Sequence, residues 1–190
     1  TSILGLTKRI SEIICLKHNN RNFSSKVVRF GNVFGSVGSA VPTFINQINN
    51  RMPITITHKN VKRFFMTLND ACFLLLWSVK IKNVNNVLVL NMGKPIKILD
   101  IVNSLIKIKQ KIDPHYSFII KTIGLQKGEK MNEELTIIKN TKKTKNIDIS
   151  HTNDPIYNDY EIEKLILNLK KNNNPNLSKK LMTKFLSKEF

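Results

Sequence analysis

Gly31, Gly35 and Gly38 fall within eight residues of one another in VRFGNVFGSVGSAVP (Val28–Pro42), directly after an apolar run of β type. Three of the chain's seven glycines are gathered there. A residue without a side chain lets the backbone approach a ligand closely and adopt positive φ, so this spacing suits a loop facing a phosphate or nucleotide at a strand end. Glycines after a strand also build plain turns, and the pattern alone leaves both readings open. Downstream comes Arg63, in KRFFMTLND. The other residues able to do chemistry are less promising. Cys15 and Cys72 lie in apolar helical segments without metal-type spacing to a partner, which predicts buried, reduced thiols and fits a cytoplasmic compartment. His18, His58, His115 and His151 are too scattered for a metal site.

The elements that must position the glycine run alternate between helix and strand. Leu6, Ile10, Ile13 and Ile14 recur at helical spacing within Ile3–His18, opposite Lys8, Arg9 and Glu12. Ser25–Phe30 reads as a buried strand, and Pro42 as the first turn of a helix whose apolar side is Phe44, Ile45 and Ile48. Short strands follow at Ile54–Thr57 and Arg63–Thr67, and then a buried helix to Val79 that Asn69 or Asp70 helps to start. Val87–Leu90 reads as a strand before a turn at Met92–Pro95, Ile98–Lys109 as a helix and Tyr116–Ile120 as a strand. Beyond Thr136 the pattern weakens: Asn140–Asn146 is Lys- and Thr-rich and predicted exposed, Tyr160–Leu169 is an amphipathic helix, and after Pro175 a terminal helix is expected over Leu177–Phe190. Such alternation argues for an α/β domain with a largely parallel sheet, whose ligands sit at the carboxyl ends of strands.

Composition narrows the partners. With 190 residues, 41% of them apolar, the chain can bury a substantial core as one domain or one with a small appendage. The formal net charge of +18 would ordinarily raise nucleic acid or an anionic membrane as partners. Here the excess is almost all Lys, spread along the whole chain, with Arg only at 9, 21, 29, 51 and 63. A nucleic-acid footprint concentrates on one face with aromatics for stacking, so no nucleic-acid partner is expected. The longest apolar run, Ala71–Val79, is too short to cross a bilayer, and no signal peptide is visible. The chain starts at Thr1 without Met, so a piece of something longer is expected.

LGLTKR from Leu4, VRFGNVFGSVGSAVPTF from Val28, PITITH from Pro53, KRFFMT from Lys62, VLVLNMGKPIKILDI from Val87 and GLQKGEKMNEEL from Gly124 together carry a resemblance. In this order they make the chain similar to the C-terminal part of the extended short-chain dehydrogenase/reductase enzymes acting on nucleotide sugars, in particular the UDP-N-acetylglucosamine 4,6-dehydratases of polysaccharide biosynthesis. The fold implied is the C-terminal part of a Rossmann-like, doubly wound parallel sheet plus a small α/β substrate-binding subdomain. Residues 1–135 would be the substrate-side part of an NAD(P)-dependent domain whose N-terminal cofactor-binding half is missing, and 136–190 a C-terminal extension with helices.

The resemblance also assigns roles. Leu4 and Lys8 occupy the family's Tyr-x-x-x-Lys pair, one helical turn apart. In the superfamily the tyrosine moves a proton while the lysine holds the nicotinamide ribose. Leu4 has no hydroxyl; the group's membrane-anchored dehydratases carry Met here and place acid/base duty just upstream, although Leu4 equally fits an enzyme that has lost activity. Lys8 keeps the catalytic and cofactor-binding role, and Val33 would lie beside the nicotinamide. Asn32 would hydrogen-bond the sugar or diphosphate, since an amide both donates and accepts. Ser39, Val41 and Pro42 would approach the uridine, with Thr55 adding a polar contact. Arg63 would take the diphosphate through its guanidinium fork, and Glu129 would accept from the uridine ribose hydroxyls.

Two departures stand out. Gln126 replaces the arginine of the family's Arg-Pro-Gly-Glu-Lys element and Lys127 its proline. A lost charge-assisted phosphate contact costs about 1.5–3 kcal/mol, which Lys127 partly offsets. No Gly-x-x-Gly-x-x-Gly fingerprint opens the chain, so the far half of an NAD or NADP cofactor has no visible cradle, and the isolated segment is expected to be inactive. The reaction implied for the complete enzyme is oxidation at carbon 4 of a UDP-N-acetylhexosamine, loss of water across carbons 5 and 6, and return of the hydride to carbon 6. A 4-epimerase shares the first step and is the alternative; a noncatalytic relative is another. The resemblance further implies a homo-oligomer, no metal, and a cytoplasmic enzyme, or one on the cytoplasmic face of a membrane if an N-terminal anchor precedes it.

Overall fold

The computed structural model describes residues 3–20, 22–82, 86–133, 141–145, 148–152 and 157–187. In chain order its elements are α1 (Ile3–Lys17), β1 (Val28–Arg29), β2 (Asn32–Val33), α2 (Ala40–Asn49), β3 (Ile54–Ile56), β4 (Lys62–Arg63), β5 (Phe65–Met66) and α3 (Leu68–Lys80). They continue with β6 (Leu88–Leu90), β7 (Ile96–Lys97), α4 (Ile98–Ile112), β8 (Ile120–Thr122), β9 (Thr141–Lys143), β10 (Ile149–Thr152), α5 (Asp159–Lys170) and α6 (Pro175–Leu186). Two compact units result: unit 1 takes residues 1–29, 76–90 and 136–190, and unit 2 takes 30–75 and 91–135.

Unit 1 is a four-stranded sheet in the order β1-β6-β10-β9 with a helical core. β1 pairs with β6 in parallel, while β10 runs antiparallel to both β6 and β9. β6 is buried along its whole length, as expected of a strand reading Leu-Val-Leu between two neighbours. Leu6, Ile10 and Ile13 put the apolar stripe of α1 into one cluster with Ile162 and Leu165 of α5 and Met182 and Leu186 of α6. Tyr157 closes the cluster by stacking on Phe185 with ring centroids 4.6 Å apart. α5 starts at a capping box, Asn158 Oδ1 accepting from Glu161 N at 2.8 Å and Glu161 Oε2 from Asn158 N at 3.3 Å.

Unit 2 builds its core from Phe44 and Ile48 of α2, Ile54 and Ile56 of β3, and Ile98, Val102 and Ile106 of α4, with Val61, Phe65 and Tyr116. The i, i+4, i+8 stripe of α4 is what its sequence period requires. β2 pairs with β5 and β3 with β8, both parallel; β4 pairs with β7 antiparallel. The chain is thus an α/β protein with parallel strand pairs, as expected.

Several sequence expectations need correction. The strand expected over 63–67 is two, β4 and β5, parted at Phe64, whose carbonyl accepts from Asn32 N at 2.9 Å. The strand expected over 116–120 lies later, at β8, because Tyr116 is drawn into the unit 2 core after a turn closed by its N–H on Asp113 O. α3 begins where the Thr67 hydroxyl caps Asp70 N at 3.1 Å and donates to the Asp70 carboxylate at 2.6 Å, so Asp70 does help to start it, from its first turn. It is not a buried helix: Ala71, Leu74 and Ser78 are covered, while Leu68, Leu76 and Val79 are exposed. Cys15 and Cys72 are free thiols, yet both are exposed, because they lie off the covered stripes Leu6–Ile10–Ile13 and Ala71–Leu74–Ser78. The Lys- and Thr-rich stretch contributes β9, which adds an antiparallel edge to the sheet; Asn140, Asn146 and the last three residues of the expected terminal helix lie outside the described residues.

Candidate functional site

The glycines divide by role. A Cβ on Gly31 would sit 2.9 Å from both Cβ and the carbonyl oxygen of Phe64, so this position is glycine because two backbones cross closely. Gly35 and Gly38 have φ of 76° and 74° and open space where a side chain would stand. They turn the chain from β2 into α2, while Phe34 between them and the strand stacks on Phe65 with centroids 4.6 Å apart.

α2 starts without a side-chain cap. Ser39 is its N-cap in extended conformation, but its hydroxyl makes no capping bond, and no acidic residue lies in the first turn. Ser39 Oγ is buried and lacks a hydrogen-bond partner among the described residues. Val41 and Pro42 follow, half-buried. Unfilled N–H groups, the positive end of the helix dipole and an unpaired hydroxyl form a place suited to an anionic or polyhydroxylated ligand.

Beside β2 lies a chain of polar side chains. Asn32 Nδ2 donates to Phe64 O at 3.1 Å and to Glu133 Oε2 at 3.4 Å. The other oxygen of Glu133 is 3.5 Å from Arg63 Nε. Arg63, its side chain 13% exposed, pairs through Nη2 with Glu129 Oε1 at 2.9 Å and donates through Nη1 to the carbonyls of Lys62 and Lys130, both at 2.9 Å. Glu129 also accepts from the Thr57 hydroxyl at 2.9 Å and the backbone N–H of Gln126 at 3.1 Å. Burial pushes the Glu133 carboxyl above the usual carboxylate range, against the opposing pull of Arg63, Asn32 and the Phe64 backbone.

Of the residues expected at a site, Asn32, Arg63 and Glu129 are therefore brought into one set joined by hydrogen bonds and by the Arg63–Glu133 ion pair. Thr55 is engaged differently: its hydroxyl accepts from Gln47 Nε2 at 2.9 Å and its N–H donates to Gln47 Oε1 at 3.1 Å, which ties β3 to α2. Gln126 joins through its main chain, its side chain being exposed. Val33 is half-buried on β2. Leu4 and Lys8, both exposed on α1, belong to unit 1, and every other candidate to unit 2. Glu133, Thr57 and Gln47 were not foreseen. A signal existed for two of them: Glu133 follows Glu129 by four residues, and Thr57 follows Thr55 by two, on the same side of an extended chain.

Of the residues expected at a nicotinamide cofactor, Lys8 lies exposed on α1 in unit 1 and Val33 half-buried on β2 in unit 2. The glycine turn before α2 is the only one among the described residues that leads directly into a helix. Among the described residues no group of His, Cys, Asp and Glu is placed to hold a metal ion, and no helix is long and apolar enough to cross a membrane.

Comparison with known proteins gives a consistent picture. The family described as "Polysaccharide biosynthesis protein" matches residues 1–154. The capsular polysaccharide biosynthesis protein CapD of Staphylococcus aureus is 41% identical over 137 residues, covering 71% of this chain and 22% of that protein. The solved structure of Pen from Bacillus thuringiensis superposes with a TM-score of 0.67 at 31% identity, covering 86% of this chain and 57% of that one. A UDP-glucuronic acid 4-epimerase from Bacillus cereus, solved with UDP-glucuronic acid and NAD, gives a TM-score of 0.56 at 25% identity, covering 71% of this chain and 44% of that one. The chain thus spans between about a fifth and three fifths of these relatives' own lengths.

Proposed function

The chain belongs to the polysaccharide biosynthesis protein family, nucleotide-sugar-modifying members of the extended short-chain dehydrogenase/reductase superfamily with a Rossmann-like fold, and on that premise we propose that it is the substrate-side segment of an NAD- or NADP-dependent 4,6-dehydratase of a UDP-N-acetylhexosamine. Residues 1–135 supply the substrate-side part, and 136–190 are a C-terminal extension whose strands β9 and β10 and helices α5 and α6 belong to unit 1. The observation that carries this reading is the start of α2, where a positive-φ glycine turn leads to an uncapped helix with a buried, unpaired Ser39 hydroxyl. Ser39, Val41 and Pro42 receive the nucleotide there, with Thr55 and Gln126 at its border.

Arg63 meets the diphosphate. A guanidinium has five N–H donors: the two on Nη1 are shared by the carbonyls of Lys62, Lys130 and Met131, Nε faces Glu133, one on Nη2 goes to Glu129, and the second on Nη2 is left for a phosphate oxygen. Glu129, already held by Arg63 and Thr57, is oriented to accept from a ribose hydroxyl. Asn32 contacts the sugar. A nicotinamide cofactor, when bound, supplies the hydride acceptor and donor; Lys8 would hold its ribose and Val33 its ring. Leu4 carries no hydroxyl and moves no proton, so Lys8 is the remaining member of that helical pair with a polar role. The reading places the complete enzyme, a homo-oligomer, in the cytoplasm or on the cytoplasmic face of a membrane.

A second reading, a 4-epimerase, is favoured by the likeness to the Bacillus cereus epimerase. Isothermal titration of the 190-residue chain with UDP-N-acetylglucosamine tests the shared part: binding that Arg63→Ala weakens supports it, and absence of binding overturns it. Incubated with NAD, the chain alone should leave the sugar unconverted. If turnover is seen, a product lighter by one water marks a dehydratase and an isobaric product an epimerase.

A further inference from the structure

Glu133 has no role in the reading above, yet it touches two of the groups that reading depends on. Asn32 Nδ2 carries two hydrogens, and two acceptors face it: Phe64 O at 3.1 Å and Glu133 Oε2 at 3.4 Å. Rotating the amide by half a turn would put Oδ1 against both of these oxygens, so the pair fixes its sense. Among the described residues none donates to Oδ1, and that atom is not buried. Asn32 therefore has its donors spent and its acceptor available.

We propose that Glu133 is a positioning residue for Asn32, which holds the amide so that only Oδ1 meets the ligand and the position selects a group that donates, a sugar hydroxyl, over one that only accepts, a phosphate oxygen. This rests on a nucleotide sugar lying beside β2. The second oxygen of Glu133, 3.5 Å from Arg63 Nε, aligns the carboxylate from the other side. The charged groups facing Glu133 are Arg63, from β4, and Glu129 across the same guanidinium. Burial makes the Glu133 proton comparatively easy to gain.

Two arms test it on the full chain. In the first, without ligand, the Asn32 side-chain amide is followed by nitrogen-15 NMR against pH. Its resonances should move with a carboxyl titrating above the ordinary Glu range, and the movement should vanish in Glu133→Gln; an amide that ignores pH, or that still titrates in the variant, overturns the proposal. In the second, calorimetry compares UDP-N-acetylglucosamine with UDP. Glu133→Ala should lower the preference for the sugar nucleotide about tenfold, the size of one lost hydrogen bond. Glu133→Gln, whose amide oxygen still accepts from Asn32, should restore it to within about twofold. Equal weakening of both ligands by Glu133→Ala would mark a merely structural role and overturn the proposal. If neither ligand binds the wild-type chain, the function proposed above fails and the NMR arm decides this inference alone.

Discussion

Beside the simple pair Arg51–Asp113 in unit 2, each unit holds, among the described residues, an arginine–carboxylate cluster of three side chains, and the two clusters are built differently. In unit 1 two guanidinium groups share one acid: Glu12 takes Arg29 through both oxygens, at 2.7 and 2.6 Å, and Arg9 at 3.0 Å. In unit 2 one guanidinium serves two acids, Glu129 at 2.9 Å and Glu133 at 3.5 Å. The first fastens α1 to β1 and has nothing to gain from another cation. The second holds a loop onto β4 and leaves one carboxylate with an incomplete counter-charge, the usual signature of a group whose protonation responds to its surroundings. Glu12 and Arg9 are largely covered, at 15% and 10% exposure, whereas Glu133 keeps 37% of its side chain exposed and its carboxyl is raised above the usual range.

The largest effect should come from unit 1. Glu12→Ala would leave Arg9 and Arg29 sharing a place with the carboxylate gone; its side chain is 15% exposed. Removing one partner of a buried pair costs about 3 kcal/mol, to be read as a fall in the urea unfolding midpoint. A loss under about 1 kcal/mol would mean that the two clusters differ less than their geometry suggests.

Arg63→Ala in unit 2 should instead show itself in ligand binding. A missing charge-assisted contact weakens the affinity for UDP-N-acetylglucosamine by about 1.5–3 kcal/mol, roughly ten- to hundredfold by calorimetry. Unchanged affinity would assign Arg63 to loop fastening alone and make the two clusters functionally alike.

Asn158→Ala removes the capping box of α5 and should cost about 1 kcal/mol, seen as faster amide exchange in the first turn of α5. The same exchange spread over unit 2 would show that the units do not respond separately.

The smallest effect concerns pH. Glu133 binds its proton more tightly folded than unfolded, so its favourable contribution is complete below the ordinary value near 4.5 and is lost as pH rises through the folded-state pKa. Relative to wild type, Glu133→Gln should therefore gain stability across that rise, checked by urea unfolding at several pH values. A gain on lowering the pH would reverse the sign and remove the difference between the clusters.

Much of this was legible from residue order. The stripe Leu6–Ile10–Ile13 announced α1, and Leu181, Phe185 and Leu186 announced α6, which begins at Pro175, two residues before the expected Leu177, because helical periodicity acts over a few residues. The parting of β4 from β5 at Phe64 was not legible, since it depends on the close crossing at Gly31, a residue outside any local pattern around Phe64. At the site, Asn32, Arg63 and Glu129 could be named from their types and from resemblance. That Arg63 pairs with Glu129 across 66 residues, and that Asn32 reaches Glu133 across 101, could not.

By itself the sequence determined the helices, the α/β class, the glycine turn and the family, all of which follow from local spacing or from motifs kept in order. Only the tertiary structure decided which carboxylate meets which arginine and that Glu133 holds the Asn32 amide. Hydrogen bonds act over about 3 Å, and which side chains come within that reach is settled by loop closure and strand register, which no local pattern encodes.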